Sequence, residues 1–335
     1  MSNISAKQLD ELRKLRDSPI YFIKRMWGLT PQVLDCHEEH PHGKECYGEF
    51  TKGKNLTWQQ TQIIEELERG LKDKKPIRIS VFSGHGIGKD ALVSMLIHWF
   101  LFTRKNAQIG CTAPTSDQLY DVLWKEIAVW QSKLPVGIKE RFEWTTTHYR
   151  IAEAPNIWWA RARTAKKESP EAFAGLHGTH VMLIGDEASG IDDEIYRVGE
   201  GSLTNKDTIV ILIGNPVRTE GYFYETHYSD KENWKGFVFN SEDSPIVDSQ
   251  FTARVAARYG RDSDEYRYMV LGIPPRIEGM KDGWMQLISK EELDKSYCED
   301  IGGFVVPKLV VDHSVLGMNK SSFVLSDNFK DKFVA

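Results

Sequence analysis

Residues 77–103 read IRISVFSGHGIGKDALVSMLIHWFLFT. The first six residues are rich in Ile and Val, which is typical of a buried β-strand. The run from residue 91 to 103 is almost entirely apolar and predicts a helix inside the core. A glycine-rich turn joins the two. A strand, such a turn and a helix in direct succession indicate a βα unit of a parallel sheet.

The turn has the composition of a phosphate-binding loop. Its glycines allow successive backbone N–H groups to face a phosphate chain, and the start of the next helix adds its positive dipole end. A lysine at its end would reach the β- and γ-phosphates. The residues that we expect to bind nucleotide here are Ser83, Gly84, His85, Gly86, Ile87, Gly88, Lys89 and Asp90. A glycine-rich turn without any ligand is the alternative.

Two positions of this loop depart from the usual pattern. Ser83 replaces the first glycine, which is a mild change. Asp90 stands where a Ser or Thr hydroxyl normally contacts Mg²⁺. Its carboxylate would repel a phosphate at about 4 Å by several kcal/mol, at an effective dielectric constant of about 20. Asp90 is therefore either a direct metal ligand or a residue that weakens nucleotide binding.

The alternation of strands and helices continues beyond the loop. The predicted strands are 77–82, 108–112, 180–184 and 208–213. The predicted helices are 91–103, 117–133, 192–203 and 221–228. This order predicts an α/β fold with a parallel sheet and helices on both faces. Residues 142–161, rich in Thr, Trp and Tyr, predict an antiparallel addition at the sheet edge.

The flanking regions suggest five parts of the chain. Residues 1–55 form an N-terminal part, helical over 5–28 and loop-rich over 31–54. Residues 56–245 are the core, which starts with a helix over 56–71 that Thr57 would cap. Residues 246–272 predict a small helical lid, and 273–306 have the Gly and Pro content of a linker. Residues 307–335 hold two strand candidates, too short for an independent domain.

Composition excludes several classes of protein. The chain has 335 residues, 41% of them hydrophobic, with 43 Lys and Arg against 48 Asp and Glu. This hydrophobic content excludes a wholly disordered chain, and the excess of acidic residues is unlike that of a basic nucleic-acid coat protein. The longest apolar run, 91–102, is shorter than the roughly 20 residues that a membrane helix needs. Four scattered Cys and no signal sequence predict a reducing cytoplasm.

Two further strands end in polar residues. The run 181–187, VMLIGDE, ends in Asp186 and Glu187. Adjacent side chains point in different directions, so Asp186 would hold Mg²⁺ while Glu187 activates water as a general base. Asn215, after the strand 209–213, would sense the γ-phosphate. Surface solvation of the acids and a plain Asn-Pro turn are the alternatives.

These motifs, in this order, resemble the ATPase domain of the large terminase subunit of tailed bacteriophages. The resemblance includes the Walker A and Walker B elements and covers about residues 19–275. Its motifs are PIYFIKRMWG at 19–28, WQ at 58–59, the loop 83–89, AFAGLH at 172–177, DEAS at 186–189 and GNP at 214–216.

The resemblance implies a P-loop NTPase of the RecA-like type that uses ATP and Mg²⁺ to move viral DNA into a procapsid. Gln59 would read the adenine edge. The implied partners are double-stranded DNA, a portal protein, the small terminase subunit and further copies of the chain in a pentameric ring. The implied location is the cytoplasm of the infected bacterium, with no membrane contact.

The family also implies an arginine that stabilises the transferred phosphoryl group. Arg161 or Arg163 would serve, from the same subunit or from a neighbour in the ring. A solvated basic stretch that includes Lys166 and Lys167, or one that tracks DNA phosphates, is the alternative.

A second domain of the family is a ribonuclease-H-like nuclease with two metal ions. Asp312, at the end of the strand candidate 307–312, resembles the first acidic ligand of that domain. The other acids have no counterpart before residue 335. We therefore expect no nuclease activity from this chain.

The loop-rich part contains two Cys and three His between Cys36 and Cys46. These side chains could supply four ligands to Zn²⁺, but their spacing matches no established pattern. A solvated loop is the favoured interpretation.

Two other functions stay open at this point. A P-loop helicase-like remodeller shares the glutamine motif and the Asp-Glu pair. A catalytically inactive nucleotide-binding protein would account for Asp90.

Overall fold

The computed structural model describes residues 5–36, 42–164, 173, 175–176, 178–201 and 207–276, together with the backbone of three later strands. The chain divides into two compact units, Met1–Arg276 and Ile277–Ala335. Among the described residues, no helix has the length and apolar character that crossing a membrane requires.

An eight-stranded sheet forms the centre of the first unit. Its strands are β1 Ile77–Ser83, β2 Gln108–Thr112, β3 Phe142–Trp144, β4 His148–Ile151, β5 Trp159–Ala162, β6 His180–Asp186, β7 Asp207–Gly214 and β8 Lys235–Phe239. Their order across the sheet is β3-β4-β5-β2-β6-β7-β1-β8. All neighbouring strands in the stretch β5-β2-β6-β7-β1-β8 are parallel. At the other edge, β4 pairs antiparallel with both β3 and β5. The four predicted core strands and the antiparallel edge are confirmed.

The β8 strand was not predicted. Its residues are mostly exposed because it lies at the edge of the sheet, beside β1. Lys235 and Gly236 also interrupt the apolar pattern that identifies buried strands. An exposed edge strand of this kind is therefore difficult to predict from its sequence pattern.

Ten helices are found in the described part of the first unit. They are α1 Ala6–Asp17, α2 Pro19–Trp27, α3 Trp58–Asp73, α4 Lys89–Thr103, α5 Lys125–Ser132, α6 Val136–Lys139, α7 Asp193–Glu200, α8 Tyr222–Glu225, α9 Ser249–Tyr259 and α10 Asp264–Tyr266. Two π-helical segments, Gln118–Trp124 and Arg267–Leu271, adjoin α5 and α10.

Capping side chains account for several helix boundaries. Thr57 caps α3 as predicted, and its hydroxyl accepts a hydrogen bond from the Gln60 N–H. The predicted helical region 5–28 is divided at Ser18, which is extended and caps α2 ahead of Pro19. Pro19 fits the first position of α2 because proline lacks an N–H and presets the helical φ. The predicted helix 221–228 is a single turn, α8.

The two faces of the sheet carry separate cores. Along β7, Ile209 and Ile211 pack on one side with α1 to α5, whereas Val210 and Leu212 pack on the other with α7 and α8. This alternation follows from the two-residue repeat of a strand. Helices therefore cover both faces, as predicted. The α4 helix is buried all round between Leu92 and Leu101, which explains its almost entirely apolar sequence.

A buried histidine makes stability depend on pH. His98 on α4 is fully buried among the rings of Trp27, Phe142 and Tyr149. Burial lowers its pKa from 6.5 to about 4. The unfolded chain then binds more protons than the folded chain between these values, so stability is lost as the pH falls from about 6.5 to about 4. We expect the free energy of unfolding to decrease by roughly 3 kcal/mol from this group.

Denaturant unfolding of the His98→Phe variant at several pH values checks this. The variant should lose much of the slope. Part of the slope should remain, because burial also lowers the pKa of His227 to about 4. An unchanged slope in His98→Phe would show that His98 does not control acid stability.

The second unit contains a three-stranded antiparallel sheet with the order β11-β10-β9. Its strands are β9 Lys308–Val311, β10 Phe323–Asp327 and β11 Lys330–Val334. The two strand candidates of residues 307–335 are found as β9 and β10, which pair antiparallel, and β11 is an additional strand.

Candidate nucleotide site

The glycine-rich loop connects the end of β1 to the start of α4. Gly86 and Gly88 have φ values of 81° and 80°, in the left-handed region that glycine adopts without strain. Gly88 is the residue at which α4 begins. In the part of the chain that the structure describes, the N–H groups of Gly86, Ile87 and Gly88 donate to no protein acceptor. They are available to an anion at the helix N-terminus.

Neighbouring segments hold this loop in place. The Gly84 N–H donates to the Phe239 carbonyl at 2.9 Å, and the His85 N–H donates to the Met269 carbonyl at 2.8 Å. The Ser241 hydroxyl donates to the His85 carbonyl at 2.7 Å. These bonds connect the loop with the edge strand β8 and with the 249–271 segment that contains α9 and α10.

Four charged side chains meet between the loop and the end of β6. The Lys89 ammonium contacts the Glu187 carboxylate. Burial alone would lower the pKa of Lys89, but the carboxylates of Glu187, Asp186 and Asp90 outweigh it and raise this pKa. Lys89 is therefore charged at neutral pH. The structure thus brings the loop lysine, which follows β1, together with the two acids at the end of β6.

Asp90 and Asp186 each have a buried carboxylate oxygen, Oδ1, with no hydrogen-bond partner in the described residues. The Asp186 side chain is only 2% exposed. Burial, together with the neighbouring carboxylate of Asp90, raises the pKa of Asp186 well above its usual range. Burial likewise raises the pKa of Asp90. Two adjacent unpartnered carboxylate oxygens are a donor set that suits a hard divalent cation.

Glu187 has an unusual backbone conformation. Its φ and ψ are 47° and 46°, a left-handed conformation that costs free energy for a residue other than glycine. A side chain at Gly214, the end of β7, would lie only 2.9 Å from the Glu187 Cα. The two strand ends thus approach closely, and the strained turn directs Glu187 toward Lys89.

Asn215 connects the loop with the 249–271 segment. Its side-chain N–H group donates to the Ser83 carbonyl at 2.7 Å and to the Tyr268 carbonyl at 3.1 Å. Its Oδ1 is buried with no partner among the described residues. A rotation of this amide would therefore affect both the loop and the helical segment.

The two glutamines at the start of α3 have different surroundings. Gln59, the predicted adenine reader, is fully buried, and its amide donates to the Asn240 carbonyl at 3.1 Å. Its Oε1 has no partner in the described part of the chain. Gln60, which sequence reasoning did not select, donates to the Gly88 carbonyl at 2.8 Å. The pattern Thr57-x-x-Gln60, a capping box, was the signal available for it.

The two predicted arginines lie away from the Lys89–Glu187 contact. Arg161 is on β5, which is separated from β6 by one strand, β2. These two strand spacings place β5 about 10 Å from β6. Arg161 packs over the Trp159 ring and donates to His148 Nε2 at 3.1 Å. Strand alternation places Arg161 and Arg163 on the sheet face of Trp159, opposite the face of Asp186. Their role as arginine finger stays a prediction.

Several predicted residues lie outside the described residues. They are Lys166, Lys167, part of the 172–177 motif and Asp312.

The amino-acid sequence is similar to that of a known, curated protein. The chain is 30% identical, over 259 residues, to the probable large terminase subunit of Enterobacteria phage P7. The match covers 73% of this chain and 50% of the relative, so the chain spans about half the length of that protein. No family model matches the chain.

Solved structures of the large terminase from a thermophilic bacteriophage share the fold. One crystal form gives a TM-score of 0.54 at 14% identity, covering 81% of this chain and 64% of that chain. A form in complex with ADP gives 0.53 at 13% identity, covering 83% and 68%. The sequence match and the shared fold agree, and they confirm that this chain resembles the large terminase subunits of phages.

Proposed function

We propose that this chain contains the ATP-hydrolysing unit of a phage DNA-packaging motor, a P-loop NTPase of the RecA-like type. One observation carries the proposal. Lys89, Asp186 and Glu187 converge beside a loop whose backbone N–H groups have no partner in the described residues. This is the set of groups that phosphoryl transfer requires.

The chain's own residues account for binding and for water activation. The loop N–H groups and Lys89 bind the phosphates, and Gln59 is the proposed contact to adenine. In the structure, the Lys89 ammonium contacts the Glu187 carboxylate. A triphosphate would attract Lys89 and release Glu187, whose carboxylate then accepts a proton from the attacking water. The exchange of partners makes the base available only when nucleotide is present.

The residues at the site also fit Mg²⁺. The unpartnered oxygens of Asp186 and Asp90 would hold it, directly or through water. When bound, Mg²⁺ neutralises charge on the phosphates. Asp90 would thereby take the place of the usual hydroxyl ligand, and its negative charge would be balanced by the bound cation instead of repelling the phosphates.

This role of Asp90 gives a testable prediction. Asp90→Ala should raise the Mg²⁺ concentration for half-maximal ATP hydrolysis by about tenfold or more, because loss of one ligand worth about 1.4 kcal/mol is a factor of ten. Asp90→Ser restores a hydroxyl and should lie between Asp90→Ala and the unmodified chain. Mg²⁺ titrations of the steady-state rate measure this. Faster turnover in both variants at every Mg²⁺ concentration would instead identify Asp90 as inhibitory.

The motor function implies partners and movement. We propose that the chain acts on double-stranded DNA in a pentameric ring, with a portal protein and the small terminase subunit, in the cytoplasm of the infected bacterium. The 249–271 segment would act as a lid that responds to hydrolysis through Asn215. Arg161 or Arg163 would reach a neighbouring subunit or the DNA. Asp312 remains a proposed metal ligand of the nuclease-like part.

ATP hydrolysis with different DNAs tests the motor proposal. The rate should rise with duplex DNA more than with single strands, and a forked duplex should stay paired. Stimulation by single strands with strand separation would favour the helicase-like alternative. Nucleotide binding without turnover in any condition would favour the inactive nucleotide-binding protein.

A further inference from the structure

Three metal-ligating side chains meet in the loop-rich part between α2 and α3, away from the phosphate loop in sequence. The ligand atoms of Cys36, His42 and Cys46 all lie within 4.8 Å of one another. Cys46 is buried, and the other two are half-buried. Ligands around tetrahedral Zn²⁺ are about 3.8 Å apart when the bonds are about 2.3 Å long. The three groups are thus within about 1 Å of a coordinating arrangement.

The backbone holds this arrangement. Leu34 and Tyr47 form an antiparallel bridge, and the Asp35 N–H donates to the Cys46 carbonyl at 2.8 Å. Cys36 and Cys46 therefore lie on two backbone segments that are paired with each other. The Gln62 amide donates to the His42 carbonyl at 2.8 Å and attaches the third ligand residue to α3. The spacing in the sequence gave no recognisable pattern, but the pairing brings the ligands together.

We propose that Cys36, His42 and Cys46 bind a structural Zn²⁺ ion. Two thiolates and an imidazole are the donors that Zn²⁺ prefers, and they supply three of its four ligands. The same segment contains His37 and His40 in its sequence, both outside the described residues. This replaces the solvated loop favoured from the sequence.

The ion would stabilise the start of α3. Tyr47, next to Cys46, stacks on Trp58 with ring centroids 5.8 Å apart. Trp58 in turn donates from its ring to the Asp243 carbonyl at 2.9 Å. The zinc-bound loop thus supports the first turn of α3, the turn that also carries Gln59 and Gln60.

Metal analysis of the full chain tests the proposal without using activity. Protein purified in a reducing buffer without chelator should contain one zinc per chain. Chelator-treated protein should bind Co²⁺ with the visible spectrum of a tetrahedral thiolate site. Cys36→Ser, Cys46→Ser and His42→Ala should each lose stoichiometric zinc. Cys111→Ala, which removes a buried thiol on β2, should keep it.

Conservative variants distinguish loss of a ligand from loss of folding. Cys36→His keeps a zinc ligand and should retain the metal. Added Zn²⁺ should raise the unfolding temperature of the unmodified chain and of Cys36→His. It should not raise the unfolding temperature of Cys36→Ser. Three results would overturn the proposal. They are an absence of zinc and of the Co²⁺ spectrum, a disulfide between Cys36 and Cys46 in the reducing buffer, or full zinc content in the Cys36→Ser variant.

Discussion

Glu187→Gln should slow ATP hydrolysis by about 10²- to 10⁴-fold, the contribution typical of a general base. The amide has nearly the shape of the carboxylate but cannot accept the proton of the attacking water. ATP affinity should stay equal to that of the unmodified chain or rise, because Lys89 no longer has Glu187 as a charged competitor for the phosphates. Single-turnover hydrolysis and equilibrium ATP binding, measured side by side, separate the two effects.

Glu140→Gln is the matched control. It makes the same chemical change on an exposed side chain and should leave both quantities unchanged. A Glu187→Gln variant that binds ATP and hydrolyses it at the unmodified rate would remove Glu187 from the chemistry.

Lys89→Ala should reduce ATP affinity by about a hundredfold or more. The substitution removes the cation that meets the phosphates and leaves Asp90, Asp186 and Glu187 close together without it. An attraction between unit charges at about 4 Å is about 4 kcal/mol at an effective dielectric constant of 20. Solvation of the charges cancels part of this attraction. A remaining loss of about 3 kcal/mol corresponds to a hundredfold decrease in affinity. Titration with a fluorescent ATP analogue measures it.

Lys105→Ala, which removes an exposed lysine just after α4, is the control for Lys89→Ala. It should bind the analogue as the unmodified chain does. Equal affinity in Lys89→Ala and Lys105→Ala would mean that the nucleotide does not contact the glycine-rich loop.

Buried strands and local caps could be predicted from the sequence because their signals are local. The strands β1, β2, β6 and β7 are buried on both faces, so they read as short apolar runs between polar turns. Thr57 caps α3 through residues three positions away. The order of the phosphate loop and the Asp-Glu strand end was likewise visible, and the structure brings these two elements together.

Other features depend on contacts between distant residues. The Lys89–Glu187 contact joins residues on different elements, and the support of Gly88 by Gln60 crosses from α3 to the loop. The left-handed conformation of Glu187 occurs where the ends of β6 and β7 approach closely. The convergence of Cys36, His42 and Cys46 requires a backbone bridge whose residues carry no distinctive pattern. None of these contacts leaves a local signal in the sequence.

Steady-state ATP hydrolysis by the unmodified chain, measured with Mg²⁺ and again with excess chelator, decides whether this site is catalytic. We expect phosphate release that requires Mg²⁺ and that disappears in Glu187→Gln. Phosphate release no faster than that of Glu187→Gln, in a chain that still binds ATP, would contradict it and identify a nucleotide-binding protein without catalysis.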